Sequence, residues 1–406
     1  MSSIFEGFLS TSEMLEAFSE RHFVEAMLRF EAALARAQAG AGLIPQAAAQ
    51  AIASACRVER LDVANIVRES TRAGSVAIPF VRNLKDAVGP EAAAYVHFGS
   101  TSQDVIDTAM ALVTRDALQL IEADVRQAVD ALLALAGRHA ADVMLARTLM
   151  QPASVTSFGL KCAGWAAPLV RSLRRLEAAS GNALSVQLGG AVGTLAQMKG
   201  MGPRVIALMA ADLQLRAPLF GWHTQRDEWV ALGCELGLLV GSLGKIARDI
   251  SLLGQFEVGE LAEPAETGRG GSSAMPHKRN PVACMVALAA AQRAPQRVAA
   301  LLAAMPQEHE RALGNWQAEL AEWPGLLMSA HGSARAMARA LAGLQVDTQR
   351  MRANLDALRA ALEPAVAQEW FNPQMAEQAA QLTHDQLGKL AGLIRQTAAN
   401  ATKVMP

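Results

Sequence analysis

Residues 268–281, GRGGSSAMPHKRNP, combine small, basic and polar residues in a pattern that could bind an anion and act on it. Asn280 before a proline is typical of a helix N-cap with proline at the first helical position. The free N–H groups of such a helix end, with Lys278 beside them, favour a carboxylate or a phosphate. The glycines allow Ser272 and Ser273 to move over a bound ligand as a lid. From these residues alone, a solvated loop and a short basic patch for nucleic acid stay open as alternatives.

A second polar segment, HFGSTSQD at residues 97–104, precedes a long apolar stretch. Three consecutive hydroxyls before a helix, Ser100, Thr101 and Ser102, suit the binding of a second carboxylate through side chains and helix-end amides. Ser100 and Gln103 also have the spacing of a capping box. The same residues can both cap the helix and bind a ligand, so the segment predicts a helix start that faces a ligand.

Long helices are predicted to position these segments. Residues 103–136 contain no Gly or Pro, and one helix of these 34 residues would span about 51 Å. The apolar stripe over residues 12–39 predicts one amphipathic helix or a pair. Residues 227–253 carry glycines four apart, which allow close approach of helices, and their charged residues favour a buried bundle helix over a bilayer span. Two further Gly- or Pro-containing segments, 147–154 and 187–194, interrupt the helical pattern.

Composition narrows the class of protein. Lys and Arg total 37 against 38 Asp and Glu, so the net charge of -1 gives no global attraction to nucleic acid or to a membrane surface. Hydrophobic residues are 51% and aromatic residues 4%, which predicts an all-α fold. Four cysteines without CxxC spacing indicate reduced thiols in a cytoplasmic protein. The first residues lack the basic start and apolar run of a signal peptide.

The four segments, in this order and separation, resemble the signature regions of the fumarase/aspartase superfamily. The superfamily pattern GSSxMPxKxNP matches residues 271–281 throughout. The resemblance implies a homotetramer with a twenty-helix core, in which loops of three different subunits form each active site. It also implies a small-molecule reaction that needs neither a metal nor an organic cofactor.

The resemblance further implies roles for individual residues. Ser272 would be the general base that removes a proton next to a carboxylate, and Lys278 and Asn280 would hold that carboxylate as its doubly charged aci form. A nearby ammonium and a helix end are physically suited to favour a serine alkoxide. The remaining expected substrate contacts lie between residues 97 and 311: His97, Ser100, Thr101, Ser102, Gln103, Thr148, Gln151, Ser273, His309 and Arg311.

Two apolar residues distinguish this chain from most lyases of the superfamily. Those relatives carry a histidine where this chain has Leu149, paired with a glutamate where it has Met285. An apolar pair can pack together, whereas a lone buried histidine or glutamate would be costly. A carboxylate is the anion of an acid with a pKa of about 4, so it can leave or attack without a general acid.

These features resemble the carboxymuconate cycloisomerase subgroup, in which a substrate carboxylate adds to a double bond of the same molecule and forms a lactone. The similarity extends over residues 222–227, 241–253 and 305–319 and runs from about residue 4 to about residue 356. It implies a tricarboxylate substrate, with Arg311 on one carboxylate. Without the resemblance, His309 and Arg311 would be taken as a surface salt-bridge group with neighbouring glutamates.

Two other functions are weighed against the cycloisomerase. One is a lyase of the adenylosuccinate or argininosuccinate kind that releases fumarate, and the other is a binding protein that has kept the fold without the chemistry. Leu149 and Met285 oppose the first, and intact Ser272, Lys278 and Asn280 oppose the second.

The chain is predicted to divide into three parts: an N-terminal helical domain over residues 1–96, a central long-helix bundle over 97–340, and a C-terminal helical region over 341–406. Relatives carry about a hundred residues in the third part, so a shortened C-terminal region is expected here.

Overall fold

The computed structural model describes residues 4–403, with side chains from residue 4 to residue 396. The described part is mainly helical with little sheet, which confirms the all-α prediction. Its first eight helices are α1 Ile4–Leu9, α2 Ser12–Ala17, α3 Glu20–Gly40, α4 Gln46–Ala55, α5 Val63–Ala73, α6 Ala77–Val88, α7 Pro90–Ala93 and α8 Ser102–Arg138. The next eight are α9 Phe158–Ala183, α10 Gly202–Leu213, α11 Asp227–Leu253, α12 Val282–Ala303, α13 Asn315–Ala342, α14 Thr348–Ala361, α15 Pro364–Trp370 and α16 Pro373–Lys403.

The long helices form where the sequence predicts them. The predicted helix over 103–136 lies inside α8, which is 37 residues long, and α11 has the predicted bounds. The apolar stripe over 12–39 is a pair of helices, because α2 ends at Ala17 and a new helix, α3, begins at Glu20. Ser19 caps α3 by accepting a hydrogen bond from the His22 N–H. An oxygen-bearing side chain at this position satisfies one of the free amides of the new helix.

Five long helices make the central bundle. Trp316 at the start of α13 donates to Asp107 near the start of α8, and Arg335 near the end of α13 contacts Asp124 farther along α8, so these two helices run in the same direction. The helix α11 shares this direction, since Arg226 just before it also contacts Asp107. The helices α9 and α12 return in the opposite direction.

Glycines bring α11 close to its neighbours. A Cβ added at Gly233 would lie 2.8 Å from Leu301 Cδ1, and one at Gly244 would lie 2.4 Å from Ala291 Cβ on α12. Small residues therefore set the spacing of these helices. Among the described residues, α11 is the helix long and apolar enough to cross a membrane by length and composition, and 56% of its most apolar window is buried inside the protein.

One antiparallel hairpin and one pair of short antiparallel strands, which the sequence pattern did not predict, complete the fold. Strands β1 Val143–Thr148 and β2 Gln151–Ser157 pair directly after α8, and the two-residue strands β3 Leu261–Ala262 and β4 Gln345–Val346 pair beside the end of α11. Leu149 and Met150, with positive φ of 49° and 66°, form the tip of the β1–β2 hairpin. The segment 147–154 is therefore a hairpin tip with two strained residues.

The C-terminal helices pack against the bundle. The Ser157 and Thr383 hydroxyl oxygens lie 3.3 Å apart, and Leu390 of α16 belongs to the same apolar core as Met14 of α2. The three-part division at residues 96 and 340 stays a prediction.

Gly159 provides a test of the helix packing at the turn between α8 and α9. An added Cβ would lie 2.6 Å from both the Ala136 carbonyl oxygen and Ala140 Cα, which are backbone atoms and cannot rotate away. We expect Gly159→Ala to lower the free energy of unfolding by about 1–3 kcal/mol, measured by urea denaturation. Gly164→Ala in the same helix, with open space at its Cβ, should instead stabilise by about 0.5–1 kcal/mol. Equal midpoints for the two variants would contradict this packing.

Candidate active site

The residues that could do chemistry lie at two opposite ends of the bundle. The segment 97–104 precedes α8, and the hairpin tip at 149–150 follows it. At 1.5 Å per residue, the 37 residues of α8 separate these segments by about 55 Å. The segment 268–281 joins α11 to α12 and lies at the hairpin end. One chain therefore holds two incomplete halves of the predicted site.

His97 is held in the first half by a buried glutamate on α3. Its Nδ1 lies 2.5 Å from Glu31 Oε1, and its backbone N–H donates to Glu31 Oε2 at 3.1 Å. Burial lowers the pKa of His97, but the Glu31 carboxylate outweighs burial and raises that pKa above the ordinary value of 6.5. His97 is thus suited to present a positive charge to an anionic substrate. In the sequence, Glu31 is marked only as a charge within the apolar stripe of α3.

The cap of α8 differs from the predicted one. Thr101 is the N-cap, and its backbone N–H donates to Asp104 Oδ2 at 3.0 Å, so the capping pair is one residue later than Ser100 and Gln103. The Thr101 amide is therefore bound by the protein and not available to a ligand carboxylate. Ser100 Oγ is buried and has no hydrogen-bond partner among the described residues.

A buried ionic network lies behind this loop. Arg226, between Trp222 and the start of α11, bonds Asp107 through Nη1 at 2.9 Å and Glu319 through Nε at 3.0 Å, and all three are about 1–2% exposed. Gln103 is buried as well, and its amide nitrogen donates to Asp107 at 3.1 Å and to the His223 carbonyl at 2.8 Å. Its side chain therefore supports the loop from inside.

Arg311 joins the first half from the loop between α12 and α13. Its Nη2 donates to the Gly190 carbonyl at 2.5 Å and its Nη1 to the Glu310 carbonyl at 2.6 Å. These partners are carbonyls, which differs from the surface salt-bridge alternative. His309 is exposed with a positive φ of 48°, and its carbonyl accepts from the Thr224 hydroxyl at 3.1 Å.

In the second half, the segment 268–281 is a narrow loop closed at its neck. The Asn280 N–H donates to the Gly270 carbonyl at 2.7 Å, and a Cβ on Gly270 would lie 2.6 Å from the Asn280 carbonyl oxygen. At the tip, Ser272 Oγ accepts from the Met275 N–H at 3.1 Å and from the Ala274 N–H at 3.4 Å. Two amide donors on one hydroxyl oxygen stabilise negative charge there. Ser273 and Lys278 are exposed on the same loop.

The predicted helix-end anion site on this loop was wrong. Pro281 is the N-cap and α12 begins at Val282, one residue later than predicted. The first free amides, those of Ala283 and Cys284, donate to the two carboxylate oxygens of Glu263 at 3.0 and 2.8 Å. The protein's own carboxylate therefore occupies the position expected for a ligand anion, and Lys278 is the remaining cation of the predicted site.

The hairpin adds Thr148 and Gln151, both exposed, to this half. Leu149 at the tip is 97% exposed, and Met285 on α12 is 43% exposed. The two apolar side chains therefore do not bury each other within one chain, in contrast to the expected packing. Exposed apolar groups of this size favour contact with another protein surface.

No group of three or more His, Cys, Asp or Glu side chains among the described residues is arranged to hold a metal ion. The polar groups of the two halves are hydroxyls, amides and cations, which suit carboxylates.

Comparison with known proteins defines the class. A family model described as "Lyase" matches residues 8–295. The chain belongs to this lyase family, within the fumarase/aspartase superfamily, and is an enzyme of that family.

Individual relatives narrow the class further. The chain is 45% identical to the 3-carboxy-cis,cis-muconate cycloisomerase of Pseudomonas putida over 356 residues, which is 87% of this chain and 84% of that protein. The crystal structure of 3-carboxy-cis,cis-muconate lactonizing enzyme from Pseudomonas putida matches with a TM-score of 0.83 at 40% identity, covering 98% of this chain and 92% of that one. A nitrosuccinate lyase of Streptomyces davaonensis is 44% identical over 351 residues, 84% of this chain and 74% of that protein.

The Glu31–His97 pair gives a prediction about charge. The Glu31 carboxylate raises the pKa of His97 against the effect of burial. In Glu31→Gln the burial of His97 remains but the carboxylate is gone, so that pKa should fall below 6.5. We expect His97 to titrate above 6.5 in the wild type and below it in the variant. The measurement is an NMR titration of histidine labelled at Cε1, with His97→Gln to assign the resonance and the other histidines as internal controls. A wild-type value at or below 6.5 would show that Glu31 does not hold the charge.

Proposed function

We propose that this protein is a 3-carboxy-cis,cis-muconate cycloisomerase, which closes 4-carboxymuconolactone in the protocatechuate branch of aromatic degradation by the β-ketoadipate pathway. The observation that carries the proposal is an intact Ser272 loop beside two apolar residues, Leu149 and Met285, at the positions of a proton-transferring pair in related lyases. The relatives in which a carboxymuconate is converted, at 45% and 40% identity, support the same substrate.

In the proposed reaction, one substrate carboxylate oxygen bonds to a carbon of a double bond within the same molecule. The electron pair of that double bond moves into a second carboxylate, which becomes a doubly charged aci-carboxylate. Lys278 and the side-chain amide of Asn280 hold this dianion. The Ser272 hydroxyl then gives its proton to the adjacent carbon, and the serine alkoxide regains a proton from solvent. One solvent proton is taken up for each lactone formed, so the trianionic substrate gives a dianionic product, and the two are isomers as the free acids.

The surroundings of Ser272 support this role. Its Oγ already accepts from two backbone amides, so an alkoxide there is stabilised before any substrate arrives. Tethered attack supplies much of the rate through proximity. The carboxylate nucleophile is already ionised at neutral pH and needs no base. The apolar residues in place of the histidine and glutamate therefore do not impede this reaction.

The first half of the site would bind the remaining carboxylates. His97 and Arg311 supply positive charge, and Ser100, Thr101 and Ser102 supply hydroxyls, with Ser100 Oγ unpaired among the described residues. Thr148, Gln151, Ser273 and His309 are proposed as further contacts from the other loops. Gln103 would act from behind the loop, because its amide nitrogen is already bonded within the protein.

We also propose a homotetramer located in the cytoplasm. A complete site needs the 97–104 end of one copy next to the 268–281 end of another, since about 55 Å of helix separates them within one chain. Large apolar side chains left exposed along the long helices, among them Leu238 and Leu302, fit burial against other copies. The four free cysteines fit a reducing compartment.

The direct test mixes purified protein with 3-carboxy-cis,cis-muconate and follows the loss of diene absorbance in the ultraviolet. We expect rapid loss in the wild type and a fall in kcat of at least about a hundredfold in Ser272→Ala, since positioned proton transfer contributes about that factor. Ser273→Ala, a neighbouring serine whose proposed role is binding, should raise KM more than it lowers kcat.

Three outcomes would count against the proposal. No loss of absorbance from folded protein would exclude this substrate, and nitrosuccinate, adenylosuccinate and argininosuccinate would then be assayed for their elimination products. Activity that survives in Ser272→Ala would keep the substrate but overturn the serine's role. Saturable binding without turnover would indicate a binding protein.

A further inference from the structure

Asp104, in the first turn of α8, accepts hydrogen bonds from four donors on three different segments. Its Oδ1 accepts from the Gly189 N–H at 2.9 Å and from His223 Nε2 at 2.6 Å. Its Oδ2 accepts from the Gly190 N–H at 2.9 Å and from the Thr101 N–H at 3.0 Å. The side chain is fully buried. A buried carboxylate with two donors on each oxygen is satisfied, and its loss leaves several buried amides unpaired.

The donors belong to the loops that carry the first half of the site. Thr101 lies within the hydroxyl segment 97–103, and Gly189 and Gly190 lie within the segment 187–194. His223 begins the connection that leads to Arg226 and the buried ionic network. One carboxylate therefore ties together segments that lie about 85 and 119 residues apart along the chain from Asp104.

The hydrogen bonds of Asp104 are connected through Gly190 to Arg311, the arginine expected to contact the substrate. The Gly190 N–H is bound by Asp104, and the Gly190 carbonyl accepts from Arg311 Nη2 at 2.5 Å. Gly190 also has a φ of 69°, and a Cβ there would lie 2.9 Å from the Gly99 carbonyl oxygen. The glycine thus lies directly between the hydroxyl segment and Arg311, and Asp104 fixes where it lies.

We propose that Asp104, oriented with His223, is a positioning residue that sets the hydroxyl segment 97–103, the glycine turn 187–194 and Arg311 in one geometry for binding a substrate carboxylate. The role as substrate positioning rests on the proposed function. Asp104 touches no reacting atom in this proposal and acts through the loops it holds.

The charge on Asp104 is as important as its shape. In Asp104→Asn, the amide nitrogen replaces one oxygen and points its hydrogens at N–H groups that need an acceptor. Placed at Oδ1 it faces the Gly189 amide, and placed at Oδ2 it faces the amides of Gly190 and Thr101. Either orientation removes a hydrogen bond to at least one loop, although the side-chain volume is unchanged.

The same helix offers a matched control. Asp124 is 5% exposed and also pairs with a histidine, His331, at 3.0 Å, and with Arg335 at 2.8 Å. It lies twenty residues farther along α8, about 30 Å from Asp104. Its partners are on α13, away from the three loops. Asp124→Asn removes a buried carboxylate of the same kind without touching the first half of the site.

The kinetic test uses the full-length enzyme and 3-carboxy-cis,cis-muconate. We expect Asp104→Asn to raise KM by about tenfold or more and to lower kcat by a smaller factor. A tenfold change in KM corresponds to the loss of one hydrogen bond of about 1.4 kcal/mol. Asp124→Asn should leave KM within about twofold while lowering thermal stability. Arg311→Lys should raise KM less in the Asp104→Asn background than in the wild type, because Arg311 is no longer held.

A second readout is independent of turnover. Hydrogen exchange measured by mass spectrometry should become faster at 97–103, 187–194 and 305–314 in Asp104→Asn, and at none of them in Asp124→Asn. If Asp104→Asn fails to fold, His223→Leu removes one donor and should shift KM and exchange in the same direction by less.

The outcomes separate this inference from the proposed function. Wild-type turnover with unchanged KM and unchanged exchange in Asp104→Asn would overturn the positioning role alone. Absence of wild-type turnover would overturn the substrate, and the exchange of the three segments would still decide whether Asp104 holds the loops. An equal rise of KM in Asp124→Asn would show a general loss of structure instead.

Discussion

The continuous helix α8 is the constraint on which the rest of the structure depends. Its 37 residues place the hydroxyl segment at one end of the bundle and the Leu149 hairpin tip at the other, about 55 Å away. A helix of this length, buried along much of its surface, does not bend enough to bring its ends together. The chemistry of the chain is therefore divided between the two ends of the bundle, which supports the proposal that complete sites combine ends of different copies.

Buried charge gives the first half of the site its shape. Asp104 and Asp107 lie one turn apart on α8, and together with Arg226 and Glu319 they connect segments from distant parts of the chain. Breaking a buried pair of this kind costs about 3–5 kcal/mol, because the remaining charge is left without a partner. A loop held in this way keeps its hydroxyls and cations in place before substrate arrives, which reduces the entropy lost on binding.

Much of the helical framework was predictable from sequence, because it follows from local patterns. The extent of α8 came from a stretch without Gly or Pro, and the bounds of α11 came from an apolar helical segment with glycines four apart. The loop at 268–281 came from its residue types and from family resemblance. The hairpin was missed because its two turn residues, Leu149 and Met150, are not turn formers. The partners of α12's first amides were missed because Glu263 lies about twenty residues upstream, and tertiary contacts of this kind leave no local signal. Glu31 and Asp104 were missed as functional residues for the same reason, although each is a charge on an apolar helix face.

The central claim, that two ends of different copies make one site, is tested most directly by mixing two inactive variants. Ser272→Ala removes the group at one end and Arg311→Ala the group at the other, and the two proteins are unfolded together and refolded as hybrids. We expect recovery of up to about a quarter of wild-type activity, since each end is intact in half of the copies. Hybrids that stay as inactive as either parent, although mixed oligomers form, would contradict it.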